Sequence, residues 1–303
     1  MKKILVATTA LVATAGMAAA EVSFGGYGRF GVAYTEGRVV GGVLDETFIT
    51  SRFRLTIDGK TEADNGLTFG ARVRIQQNEG SAAGTGINKA RFYAKSGGLE
   101  VGVGNIFGTM DSLPGLYSGT VGLTGLGYAN VVTNFNAFSY SSGGAGQAPE
   151  GVELIYSGGA YTAHLSHGDT GTQAGRTELG GSFSLNDWTV GVAFANKPLL
   201  TEAGTNAVLT LGGKLGAASV GLAFAQNQAV GGAKTNAMTL SGAFEVGAAT
   251  KVTAYVAQDK AQLVNNAYGI GVSHSLGGGA SIQGGVADVH GTTRADLGVL
   301  FNF

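Results

Sequence analysis

The last strand of this chain cannot stand alone. Across Arg294 to Phe303 the apolar residues Ala295, Leu297, Val299, Phe301 and Phe303 recur at every second position, and the chain stops on an aromatic one. A period of two is that of a strand with one apolar face. If that face meets lipid, the edge N–H and C=O groups of a terminal strand have no water to bond. The pattern therefore asks for a first strand to close against and for a sheet that becomes a barrel.

The alternation covers most of the chain. From Val22 to Tyr34, Phe24, Phe30, Val32 and Tyr34 oppose Ser23, Tyr27 and Arg29. Phe53, Leu55 and Ile57 then alternate with Arg52, Arg54, Thr56 and Asp58. After a short turn from Glu62 to Gly66, Leu67, Phe69, Ala71, Val73 and Ile75 alternate with Arg72, Arg74 and Gln76. A fourth strand sets Lys89, Arg91, Tyr93 and Lys95 against Ala90, Phe92 and Ala94, and a fifth carries Leu99, Val101 and Val103. From Gly151 onward eleven more strands read as hairpins, joined by tight turns such as Asn186-Asp187 and Gly277-Gly278-Gly279. The total of sixteen, with short turns alternating with longer loops, predicts an all-β fold: a 16-stranded antiparallel transmembrane β-barrel with both termini at the short-turn rim.

Between about Ile106 and Glu150 the signal fades for roughly 45 residues, although Phe107, Leu116, Tyr117, Tyr128 and Phe135 lie there. A loop of that length inside a compact barrel is usually functional. Folded inward, it would narrow the lumen and present Asp111, with Glu150 and Glu153 at its return.

The N-terminus reads as an address. Met1-Lys2-Lys3, an apolar stretch from Ile4 to Met17 and Ala18-Ala19-Ala20 form a cleavable signal peptide over 1–20, leaving 21–303 as the barrel. The stretch is shorter than the ~20 residues that a spanning helix needs, and no later apolar run is long enough either. Only 13% of residues are charged, so a soluble β-sandwich would expose a sticky second face.

Several chemistries find no support. There is no cysteine, hence no disulfide or thiolate site. His164 and His167 point to opposite faces of a strand, so no metal cofactor is expected. Without its signal the chain holds 17 basic against 20 acidic residues, which offers nothing to a nucleic acid. Gly102-Val103-Gly104-Asn105-Ile106-Phe107-Gly108 has the wrong spacing for a dinucleotide fingerprint and no helical pattern behind it. The aromatics Tyr34, Trp188, Phe194, Phe224, Phe244, Tyr268, Phe301 and Phe303 lie towards strand ends, where membrane-interface girdles are expected.

Positive charge is unevenly placed. Residues 21 to 95 hold 10 of those 17 cations, and Arg29, Arg52, Arg54, Arg72, Arg74, Lys89 and Arg91 all fall opposite the apolar face of their strands. On the lipid side a guanidinium would cost ~2–4 kcal/mol near the midplane, so they are assigned to the lumen as a basic wall. The plainer reading is that some of them pair with nearby acids such as Asp58 or Glu100. A wall of fixed charge in a narrow pore biases which ions enter.

The segment Glu21 to Gly31, the Ser51-Arg52-Phe53-Arg54 strand, Gly102-Val103-Gly104-Asn105 before the long loop and the Phe303 end resemble the general porins of Gram-negative outer membranes, most of all the alphaproteobacterial, photosynthetic-bacterium type. The resemblance implies a homotrimer whose third loop folds into the pore, with basic wall residues facing acidic loop residues. By position Arg29, Arg52, Arg54, Arg72, Arg74 and Arg91 match the basic wall, and Asp111 matches an acidic loop position. Family loops usually carry several acids, whereas this one has only Asp111 between residues 107 and 149. Some relatives bind calcium in loop carboxylates, which this sequence neither supports nor excludes.

The expectation is a passive outer-membrane pore for small hydrophilic solutes, neutral to mildly anion-preferring, with outer-membrane lipid around it and no catalytic residues. A solute-specific channel with Tyr117 and Tyr128 as a sugar track is the alternative within the same class. A membrane lipase using Ser166 with His164 or His167, and a non-conducting structural barrel, are the rivals from other classes.

Overall fold

The structure, a computed structural model, describes residues 20–79, 86–133, 138–143, 150–169, 175–196, 203–229 and 232–303. The signal segment therefore lies outside the described residues, apart from Ala20. In chain order the strands begin with β1 (Glu21–Thr35), β2 (Val39–Val40), β3 (Val43–Leu44), β4 (Thr47–Glu62), β5 (Thr68–Asn78), β6 (Arg91–Ser96) and β7 (Leu99–Gly104). After the long loop come β8 (Glu150–Gly158), β9 (Tyr161–Asp169), β10 (Arg176–Leu185), β11 (Trp188–Asn196), β12 (Ala203–Leu215) and β13 (Ala218–Ala229). The last are β14 (Lys234–Glu245), β15 (Thr250–Asp259), β16 (Asn266–Gly277), β17 (Ala280–Asp288) and β18 (Thr293–Asn302).

All but β2 and β3 join one closed antiparallel barrel of 16 strands, in which β1 pairs with β18 on one side and β4 on the other. No edge is left open, as hydrocarbon demands. The seam runs from Tyr27 opposite Asn302 to Thr35 opposite Arg294. At its end the Phe303 ring stacks on Phe53 with centroids 5.7 Å apart. The Phe301 ring lies over Gly28, where a Cβ would meet it at 2.4 Å. The start of β1, the end of β18 and the short turns share one rim. In the Asn186-Asp187 turn Asn186 takes the left-handed backbone (φ 51°) that asparagine tolerates.

Side-chain parity follows the expectation. Phe24, Phe30, Val32, Ile49, Phe53, Phe92, Phe194, Leu240 and Ile270 point outward and are exposed, which places them against lipid. Trp188 and Phe244, beside short turns, are exposed on the same outer surface. Two differences stand out. The connection after β1, where the sequence shows no alternation, contains a small ribbon, β2 with β3, whose Val39, Val40, Val43 and Leu44 are exposed. The fourth strand begins at Arg91 rather than Lys89, because the backbone N–H of Asn88 and the side chain of Asn105 bond across the residues before it.

The inward faces divide the barrel into two halves. β1, β4, β5 and β6 carry arginines inward, whereas β11 to β17 present Ala193, Ala195, Ala223, Ala225, Ala237, Ala257, Ala267 and Ala287, all buried. A wall of methyl groups inside a water-filled barrel needs a cover, and the long loop supplies it.

Candidate functional site

The segment after β7 loses its period of two because it is a run of tight turns. Leu113 N–H bonds Met110 O, Leu116 N–H bonds Leu113 O, Ser118 N–H bonds Gly115 O and Tyr128 N–H bonds Gly125 O. Gly115, Gly119, Gly122, Gly125 and Gly127 all adopt positive φ, as such turns require. The apolar residues between them face the barrel wall. Met110, Leu113, Leu116 and Val132 pack on Ala193, Ala195, Val208, Ala223, Ala225 and Ala237, and Val121 with Leu126 packs on Tyr255, Ala257, Ala267 and Ala287. The lumen thus contains a hydrophobic core of its own, between loop and wall.

Polar side chains of the wall hold the loop's backbone along its course. Glu153 on β8 accepts from the N–H groups of Phe107 (3.0 Å) and Gly108 (3.3 Å), and Glu178 on β10 accepts from Met110 N–H at 2.8 Å. Thr210 donates to Pro114 O at 2.6 Å and Thr239 to Asn130 O at 2.8 Å. At the far side Asp296 on β18 accepts from Leu123 N–H (2.8 Å) and from Thr124 N–H and Oγ1 (2.7 Å each), while Arg29 donates to Leu123 O at 3.0 Å. The loop therefore crosses from β8 to the closing seam against the small-residue wall. The remaining opening lies between it and the basic wall.

The eight residues singled out from the sequence fall into four groups. Arg52, Arg54 and Arg74 donate their Nε–H to neutral acceptors: Asn78 Oδ1 at 2.6 Å, Gln76 Oε1 at 2.6 Å and Thr56 Oγ1 at 3.3 Å. Arg74 Nη1 also reaches Ser142 at 3.1 Å, and Arg54 lies over the Tyr27 ring at 5.2 Å. Arg72, Lys89 and Arg91 are instead in ion pairs. Arg72 meets Asp58 at 2.6 Å, Lys89 meets Glu150 at 3.1 Å, and Arg91, only 2% exposed, is held between Glu100 (2.6 Å) and Glu153 (2.7 Å). Arg29 is buried under the loop tip. The loop face carries the eighth residue: Asp111 accepts a hydrogen bond from the Tyr117 hydroxyl, and Tyr117 meets Tyr128 edge to face with centroids 6.2 Å apart.

Asp111 lies outside the membrane-spanning strands and is partly buried. Burial raises its carboxyl above the ordinary aspartate range, with the Tyr117 hydroxyl and the Arg74 charge opposing the rise. The Arg74 charge that opposes this rise comes from the wall across the opening, so loop carboxylate and wall arginine face each other.

Sequence reasoning missed Glu153, Glu178 and Asp296 as clasps. Glu153, which the sequence places at the loop's return, is 1% exposed beneath the loop. The signal for all three was an inward acid on a strand: a buried carboxylate must find donors, and free loop N–H groups were the supply. Ser166 and His164 are buried in the same place. Ser166 accepts from Thr109 N–H at 3.0 Å and His164 Nε2 bonds Glu153 at 3.0 Å, so both serve the loop's root. His167 faces outward and bonds Thr177 at 2.9 Å.

Known proteins share this architecture. A family model described as Gram-negative porin matches residues 7–294. A porin of Fuscovulum blasticum is 33% identical over 296 residues, covering 93% of this chain and all of the relative. A porin of Rhodobacter capsulatus is 28% identical over 320 residues, with the same coverage of 93% and 100%. Among solved structures, an engineered variant of the Rh. blastica porin has a TM-score of 0.83 at 31% identity, covering 93% of this chain and 100% of its own. A second variant of that porin, with more substitutions, has a TM-score of 0.81 at 30% identity.

Proposed function

The chain belongs to the Gram-negative porins, diffusion channels of the outer membrane, and from that premise we propose that its eyelet favours anions mildly while passing small neutral hydrophilic solutes. One observation carries the preference: three arginines on the open wall have neutral partners, and a single carboxylate faces them from the loop. Arg72, Lys89 and Arg91 are already matched by acids and add little net field. The proposal includes a homotrimer, which rests on the family, and a channel role in place of any enzymatic one. Structural calcium is not part of it.

Replacing Arg52, Arg54 and Arg74 together by glutamine tests the preference. A unit charge ~8 Å from an ion in water contributes about 0.5 kcal/mol before screening, and roughly half of that survives at 0.1 M salt. Three such charges change the anion-to-cation permeability ratio by roughly three- to tenfold. The reversal potential of the purified protein in a planar bilayer under a salt gradient should therefore move towards cations. An unmoved potential would remove these residues from the conducting path.

The single acid provides a pH handle. Because the Asp111 carboxyl is raised, it gains its proton at a higher pH than a free aspartate, whose value is about 3.9. As pH falls from about 7, anion preference should rise before ordinary aspartates titrate. In Asp111→Asn this early rise should vanish, leaving a flat profile across the same interval. A variant that keeps the rise would assign it to another group.

A further inference from the structure

The three unmatched arginines do more than set a field. The geometry points to a discrete oxyanion subsite on the wall, formed by Arg52, Arg54 and Arg74, that takes the phosphate group of small phosphomonoesters on their way through the eyelet. It rests on the channel reading above and specifies a substrate class for it.

The arrangement starts from register. Arg54 pairs with Gln76 and Thr56 with Arg74, so Arg54 and Arg74 are diagonal neighbours on adjacent strands; Arg52 is two residues from Arg54 on the same face. Such spacings put the Arg54 Cα roughly 7 Å from each of the other two, so the three form a row with Arg54 in the middle and Arg52 and Arg74 at its ends, about 14 Å apart. Each guanidinium spends its Nε–H on a directly opposite neutral acceptor: Asn78, Gln76 or Thr56. That bond fixes the side chain, as do the Tyr140 ring under Arg74 at 4.5 Å and the Tyr27 ring under Arg54, while among the described residues the terminal amino groups donate only from Arg52 Nη1 to Tyr27 (3.3 Å) and from Arg74 Nη1 to Ser142 (3.1 Å). None of the three forms an ion pair among the described residues, whereas the neighbouring Arg72 and Arg91 do. The nearby carboxylates are spoken for: Asp58 by Arg72, and Glu79 by Thr50 Oγ1 and Ser51 N–H.

Fixed, planar, fully charged guanidinium forks match the several oxygens of a phosphate dianion, which a spherical halide cannot exploit. The opposite side of the opening suits the rest of such a solute. Tyr117 and Tyr128, each partly exposed, offer ring faces to a polar carbon skeleton.

The test separates fork from charge. Chloride current through the purified protein in a planar bilayer is measured while inorganic phosphate is added at constant ionic strength near neutral pH. Wild type should show a saturating partial block. In the Arg52→Lys/Arg54→Lys/Arg74→Lys variant, which keeps every charge, the half-blocking concentration should rise at least tenfold while the reversal potential stays anion-leaning. Gln76→Glu, which gives Arg54 a carboxylate partner without touching the arginines, should weaken the block as well. A block that does not saturate in wild type, or that is equal in the lysine variant, overturns the subsite and leaves the anion preference standing. A saturating, fork-dependent block with no anion lean in the reversal potential would keep the subsite and overturn the preference.

Discussion

Glu153→Ala should free the root of the constriction loop and destabilise the barrel by about 3–5 kcal/mol, the range for removing one partner of a buried ion pair. The carboxylate is the meeting point of four groups: Arg91 at 2.7 Å, His164 at 3.0 Å and the N–H groups of Phe107 and Gly108. Arg91 would keep Glu100, but both loop N–H groups and the histidine would lose their acceptor in a site closed to water. The expected signs are a lower temperature at which the detergent-solubilised barrel loses its folded migration on a gel, and single-channel currents that are larger and noisier than wild type. Glu153→Gln, which keeps the shape and one acceptor oxygen, should fall between the two. Quiet, wild-type currents from the alanine variant would show that the loop is held without this clasp.

What could be read from the chain beforehand was whatever repeats locally. Alternation at 295 to 303 and along β1, β4 and β5 reports the pleat itself, so strand number, parity and the inward set of arginines were all legible. The division of those arginines was only half legible. In sequence Arg72 and Arg74 look alike, and it takes the register across the Glu62 to Gly66 turn to set Asp58 against Arg72 and Thr56 against Arg74. The clasps were out of reach for a different reason. Asp296 and Leu123 are 173 residues apart, and no local pattern couples an inward acid on the last strand to a backbone N–H in a loop. The small residues on the inner faces of β11 to β17 carry no chemistry of their own, so their sequence pattern points to no use until the loop is seen resting on them. Small residues let the loop lie flat against the wall and keep the opening on the side of the arginines.

That purpose has its own expected result. Ala225→Phe, on the inner face of β13, should narrow the eyelet. Ala225 is fully buried among Met110, Leu113, Leu116 and Val132 of the loop and the alanines of neighbouring strands, so a phenyl ring has no free volume there. Overpacking of this kind typically costs 1–3 kcal/mol or more, and the softer partner moves. The wall is fixed by backbone ladders on both sides of β13, whereas the loop rests on it through side chains and a few clasps. The loop should therefore lift towards Arg52, Arg54 and Arg74, lowering single-channel conductance and slowing the larger solutes most in a liposome-swelling assay. Phe224→Leu at the adjacent, lipid-facing position is the parity control and should leave conductance unchanged. If Ala225→Phe conducts as wild type does with the same solute cut-off, the loop does not set the width of the opening, and the inner alanines need another explanation.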